Sequence, residues 1–233
     1  MSCKVNLTQF VLLLVLTACT SGNMKTSNEK TEEQEQVSDQ VVVEINETTF
    51  PDNAFRFFLQ SKDYGADCKL TKGELDNVKE LLLPMKDIQD LKGIEYFSSI
   101  VKLDCSMNKL TSLDVSNLSQ LATLQCYDNK LTTLDLTNNS KLEIIYCGQN
   151  KLKSINVPNT PSLILVSFEE NQIESKAMDN IIKQLPNASS SKIHYFTICG
   201  HDKQKETNKW TKKQLNDVRA KGWTPYNMKG EEL

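Results

Sequence analysis

Histidine is nearly missing from this 233-residue chain, which has two, and the sequence contains no H-E-x-x-H, no C-x-x-C and no glycine-rich phosphate loop. These gaps remove zinc hydrolysis, dithiol chemistry and nucleotide binding as readings of the chain. Lysine and arginine form no cluster, and the formal charge is only −3, so the electrostatic footprint of a nucleic-acid binder is lacking. Long hydrophobic runs are lacking too. The apolar stretch from Phe10 to Leu16 is far short of the ~20 residues a helix needs to cross a bilayer. His194, Cys199 and His201 are the remaining candidates for a metal or a nucleophile, and without a supporting carboxylate motif they read as packing residues. No catalytic residue and no cofactor is expected.

The N-terminus does carry a signal. Lys4, the apolar run and Thr17-Ala18-Cys19 form a signal-peptide pattern. Leu16-Thr17-Ala18-Cys19 resembles the lipobox of bacterial lipoproteins. That resemblance implies removal of residues 1–18, a lipid on Cys19 as the membrane anchor, and, because Thr20 rather than aspartate follows, an outer-membrane lipoprotein that can face outward. Each buried acyl CH₂ contributes about 0.8 kcal/mol to such an anchor. From Thr20 to Gln40 the chain is almost wholly polar and cannot bury enough surface to offset its conformational entropy, so residues 19–44 are expected to be a tether.

The strongest feature is a repeat. Leu103-Asp104-Cys105-Ser106-Met107-Asn108-Lys109-Leu110 recurs in form at Leu124 and at Ile145, a spacing of 21 residues. Units begin at Val78, Ile100, Leu121, Leu142 and Leu163, giving a repeat region of residues 78–173 with the form L-x-x-L-x-C-x-x-N-x-L-x-x-L-D. This pattern resembles the leucine-rich-repeat superfamily, specifically its short internalin-like bacterial type. The resemblance implies an α/β solenoid wound as a right-handed coil with a parallel concave sheet. Leu103, Leu124, Ile145 and Val166 are then an inward ladder. Asn108, Asn129, Asn150 and Asn171 satisfy backbone groups of adjacent coils, with Lys86 at the equivalent place in the first unit, where the cap is expected to take over. Cys105, Cys126 and Cys147 replace a core leucine. A thiolate metal ladder is the alternative reading, but neighbouring parallel strands ~4.8 Å apart suit buried packing better than either metal or disulfide geometry.

Solenoids need caps. Residues 45–77 are expected to form a helical N-terminal cap, with Phe55, Phe58 and Leu59 on one face of a helix over about 52–60. The segment from Asp63 to Glu74 has the frame of an EF-hand calcium loop but carries Gly65 at its third place and Cys68 at its sixth, leaving Asp63, Asp67 and Glu74 as a weak calcium candidate. Residues 174–233 are expected to form a βαβ-like C-terminal cap. Its signals are Ala177, Ile181 and Leu185 at helical spacing, a strand-like stretch from Ile193 to Ile198, a Thr211/Gln214 capping box, Gly222 as terminator and a final strand from Trp223 to Tyr226.

Along each repeat strand alternate side chains project outward. They select Leu82, Lys102, Asp104, Gln125, Tyr127, Ile144, Tyr146 and Leu165 as a ligand-binding stripe on a sheet of five strands, about 24 Å wide. The chain is thus expected to be a non-catalytic, lipid-anchored module that recognises a protein or glycan at the bacterial envelope. A structural scaffold in an envelope assembly is the alternative.

Overall fold

The computed structural model describes residues 39–158, 160–188, 192–200 and 206–233. The expected signal peptide, Cys19 and His201 lie outside the described residues. Among those described, no helix is long and apolar enough to cross a membrane.

Strand β1 (Val41–Glu44) pairs antiparallel with β2 (Lys69–Thr71), burying Val43, Ile45 and Leu70. This corrects the expected extent of the tether, because apolar alternation at residues 41–45 folds into the cap. Helix α1 (Asn53–Gln60) starts at Asp52, whose Oδ1 accepts the Phe55 N–H at 2.9 Å. The other oxygen of Asp52 accepts the Gln89 N–H at 2.8 Å, so one carboxylate caps the helix and ties it to the first coil. Phe50 packs edge-on against Phe55 and Phe97 in the seam between cap and solenoid. Gly93 holds φ +99° there, and a Cβ on it would meet the Phe50 ring at 2.2 Å. Helix α2 (Lys72–Asn77) begins with a reciprocal Thr71/Glu74 capping box.

The solenoid contributes β3 (Glu80–Leu82), β4 (Lys102–Asp104), β5 (Thr123–Gln125), β7 (Ile144–Tyr146) and β9 (Leu165–Ser167), all parallel neighbours. Two strands of the L-D-L block, β6 (Thr133–Asp135) and β8 (Ser154–Asn156), form a small parallel sheet of their own. In register, Leu81, Leu103, Leu124, Ile145 and Val166 stack as a fully shielded column, each worth about 1.5–3 kcal/mol on burial. Cys105, Cys126 and Cys147 form the parallel column beside them with no exposed surface.

Each strand ends in a turn that places one residue in the left-handed region: Met85, Met107, Asp128, Gln149 and Glu170, at φ 52° to 54°. None is glycine. A left-handed non-glycine residue costs about 1–2 kcal/mol, and it persists only where its surroundings over-determine it. For all but Met85, which Lys86 follows, the next residue is an asparagine that supplies that constraint. Asn129 Oδ1 accepts the Leu110 N–H at 3.0 Å, while its Nδ2 donates to the carbonyls of Cys105 (3.0 Å) and Cys126 (3.2 Å). Asn150 and Asn171 repeat this pattern one coil further along each time.

Two expectations about the ends are corrected. The asparagine's work in the first coil is not done by the cap: Asn108 of the second coil reaches back, accepting the N–H groups of Lys86 and Ile88 at 3.0 Å each and donating to the Leu83 carbonyl at 2.8 Å, while Asp52 of the cap holds only the Gln89 and Asp90 N–H groups beyond. Each asparagine serves the coil before it, so a lysine is tolerated only at the leading edge. The sheet also does not end with five strands. After helix α3 (Ser175–Gln184), strand β10 (His194–Cys199) pairs parallel with β9, and after helix α4 (Lys212–Ala220), β11 (Trp223–Asn227) pairs parallel with β10. The concave sheet therefore has seven strands in the order β11-β10-β9-β7-β5-β4-β3. Asn208 continues the ladder, accepting the Ile173 N–H at 3.0 Å and donating to the Phe168 carbonyl at 2.9 Å. Phe168 and Phe196, with ring centroids 5.0 Å apart, extend the core past the last cysteine.

Candidate functional site

The register defines two outward columns across the sheet. One runs Glu80, Lys102, Thr123, Ile144, Leu165, Tyr195 and Thr224, and the other Leu82, Asp104, Gln125, Tyr146, Ser167, Thr197 and Tyr226. The structure brings all eight expected stripe residues to this face. Leu82 is 46% exposed, whereas Lys102, Asp104, Gln125, Tyr127, Ile144, Tyr146 and Leu165 are half-buried among their neighbours. The sequence pattern missed Tyr195 and Tyr226, whose rings lie 5.4 Å apart at the far end of the same face.

A third outward column, beyond the strand ends, differs in character. Ser106, Gly148 and Glu169 are buried, and Pro84 and Tyr127 are half-open. Gly148 makes room for its neighbour, since a Cβ there would meet Glu169 Oε1 at 2.2 Å. The Ser167 hydroxyl donates to Glu169 Oε2 at 2.6 Å. Burial pushes the Glu169 carboxyl above its ordinary value, against the Ser167 bond and with help from the nearby charges of Glu206 and Glu170. Glu206 is also raised by burial, although its carboxylate accepts the N–H groups of Glu170, Gly200 and Asn208. Gln125, Tyr127, Tyr146, Gln149, Glu169 and Met228 together line a cavity of about 350 Å³. Met228 reaches it from the turn after β11, where its N–H donates to the Cys199 carbonyl at 2.9 Å.

The other candidates do not assemble. The Cys105 and Cys147 thiols lie within 3.5 Å and 3.4 Å of the Gln125 and Ser167 carbonyls, and burial pushes the Cys105, Cys126 and Cys147 thiols far up. His194 is buried edge-on against Trp223 at 5.0 Å, with Nδ1 3.0 Å from the Lys192 carbonyl. In the EF-hand-like loop, Glu74 is held by the Thr71 N–H at 2.8 Å, and Asp67 accepts the Lys69 N–H at 2.9 Å. Cys68, at the place where such a loop wants glycine, has φ +65°. Among the described residues, no group of three or more metal-ligating side chains is gathered.

No family model and no curated protein matches the sequence. Among solved structures, the functional domain of InlJ from Listeria monocytogenes, which includes a cysteine ladder, superposes with a TM-score of 0.60 at 24% identity over 82% of this chain. This chain covers 43% of that one, less than half its length. The internalins InlF and InlC2 from Listeria monocytogenes str. 4b F2365 align at TM-scores of 0.45 and 0.39, with 20% and 15% identity. They share 74% and 82% of this chain, and 61% and 100% of their own. Given the parallel sheet, the inward cysteine column and the likeness to InlJ, this chain is in fold an internalin-like leucine-rich-repeat solenoid.

Proposed function

We propose that the chain is a non-catalytic recognition module that binds a protein partner on its concave sheet and is held at the bacterial envelope by lipid on Cys19. One observation carries the reading. The inward columns repeat leucine, cysteine and asparagine, whereas the outward columns of the same strands vary freely and collect Ile144, Leu165, Tyr146, Tyr195 and Tyr226. Nothing in the core demands those outward identities, and aromatic side chains in a sheltered concave patch have the composition of a binding hot spot. Seven strands at ~4.8 Å, five of them only three residues long, give a face of roughly 400 Å². That is about half of the ~800 Å² per partner of a standard interface, so the flanking turns must contribute the remainder. The lipobox-like Leu16-Thr17-Ala18-Cys19 supports the envelope placement.

The test is a photo-crosslinking amino acid placed at Tyr146 on the concave face or at Thr133 on the opposite sheet, in the full chain expressed in cells. Adducts from position 146 alone, lost when Tyr127 is replaced by Ala, are expected. Equal adducts from both positions would remove the concave-face reading. Incorporation of labelled palmitate, abolished by Cys19→Ser, checks the anchor separately.

A further inference from the structure

The cavity walled by Tyr127, Tyr146 and Met228 has a feature that the rest of the stripe lacks. Glu169 is only 5% exposed, its Oε2 is taken by the Ser167 hydroxyl, its own N–H bonds the carboxylate, and its Oε1 lies over Gly148 on the cavity floor. Glu170 and Glu206 stand close enough to disfavour its charge, and among the described residues no lysine or arginine lies within ion-pair distance of any of the three. A carboxylate in such a place is costly unless a cation joins it. The remaining lining is two tyrosines, a thioether and the amides of Gln125 and Gln149.

We propose that this cavity receives an arginine side chain projected by the protein partner, its guanidinium meeting Glu169 Oε1 and packing against Tyr127 and Tyr146. The proposal rests on the reading of the concave sheet as the recognition face. Arginine fits better than lysine for two reasons. A flat guanidinium can lie on tyrosine rings, where a cation is attracted by the π-face, and its five donors can serve the carboxylate and the glutamine oxygens together. Its stem would lie against Met228, and a partly sheltered anchor of this kind can carry much of the energy of an interface too small to be tight by area alone.

The probe is the peptide acetyl-Gly-Arg-Gly-amide, titrated into the purified full chain by NMR, with the citrulline peptide as a neutral control of the same shape. Saturable shifts confined to the neighbourhood of Tyr127, Tyr146 and Gln149 are expected. The citrulline peptide should bind at least tenfold more weakly, as should the arginine peptide to Glu169→Gln. Gly148→Ala removes no charge but drives a methyl group into the space of the Glu169 carboxylate, and it too should lose at least tenfold, with an unchanged circular dichroism spectrum confirming the fold. Equal binding of citrulline and arginine, or undiminished binding by Glu169→Gln, would overturn the anchor. The two readings fail separately. Adducts at position 146 without arginine binding would sink the anchor alone, and arginine binding without adducts would sink the partner-recognition reading alone.

Discussion

Consider replacing the ladder asparagines one at a time by alanine. In Asn129→Ala the buried Leu110 N–H, bonded at 3.0 Å, loses its acceptor. The carbonyls that Asn129 served do not go bare, because Cys105 keeps the Asn108 amide at 2.9 Å and Cys126 keeps the Asn150 amide at 3.0 Å. One buried group is orphaned, a cost of about 1–3 kcal/mol. In Asn108→Ala the buried Ile88 N–H is orphaned, and so is the Leu83 carbonyl, since residue 86 is a lysine with no amide to offer. Two buried groups cost about 2–6 kcal/mol. The half-exposed Lys86 N–H can turn to water. The end member of the ladder should therefore be more sensitive than the middle one, against the usual expectation that solenoid ends tolerate change. With a urea dependence of about 2 kcal/mol per molar, the midpoint of Asn108→Ala should fall roughly 0.5–1.5 M below that of Asn129→Ala. Urea titration followed by circular dichroism at 25 °C reads this directly, provided that the two slopes agree. An Asn129→Ala midpoint at or below that of Asn108→Ala would refute the shared-carbonyl argument.

Two further outcomes follow from burial. Because burial raises Glu169 above the ordinary 4.5, its ionisation opposes folding, so its contribution is most favourable below that pH and is lost as pH rises through the folded value. Glu169→Gln should accordingly be more stable than the parent at pH 7, with the gap narrowing toward pH 4; each tenfold displacement of proton affinity is about 1.4 kcal/mol. Chemical denaturation at the two pH values decides it, and a gap independent of pH would contradict the assignment. The Cys105, Cys126 and Cys147 thiols, raised and fully buried, should resist an aromatic disulfide reagent at pH 8 in the native chain and react promptly in urea. Native-state modification of any of the three, followed by mass spectrometry, would count against the inward column.

The inward columns were legible because a fixed period of 21 residues leaves only one way to stack Leu103, Leu124 and Ile145 on one side. What escaped lay where that period breaks. Asn171 and Asn208 are 37 residues apart because α3 and β10 intervene, so a search for self-similarity stops one coil early. The signal that remained was the alternation of Phe196 and Ile198, which occupy the places of Leu103 and Cys105. The left-handed turn residues were equally silent in sequence. Met107 and Gln149 look like ordinary helix or strand formers, and only the hydrogen bonds of the next residue explain their φ. For the site, Gln125, Tyr127 and Tyr146 could be read from register alone. Register also turns Glu169 outward, but its burial could not be read, because that depends on the missing side chain at Gly148 one coil earlier, and Met228 arrives from a turn that no repeat dictates.

The burial of Glu169 is also the point at which local economy and the fold disagree. Every other outward position is either neutral in the core's accounting or solvated enough to carry its charge, and Lys102 and Asp104 sit together on β4 without strain. Glu169 gains a hydroxyl bond and one from its own N–H, and loses most of its hydration beside two further carboxylates. A glutamine of the same shape would fold at lower cost, and a leucine at lower cost still. Sequences that violate local rules without a structural return do so at functional positions. A carboxylate kept at that cost, on the floor of a tyrosine-walled cavity and without a cation of its own among the described residues, is best accounted for by a cation that arrives from outside.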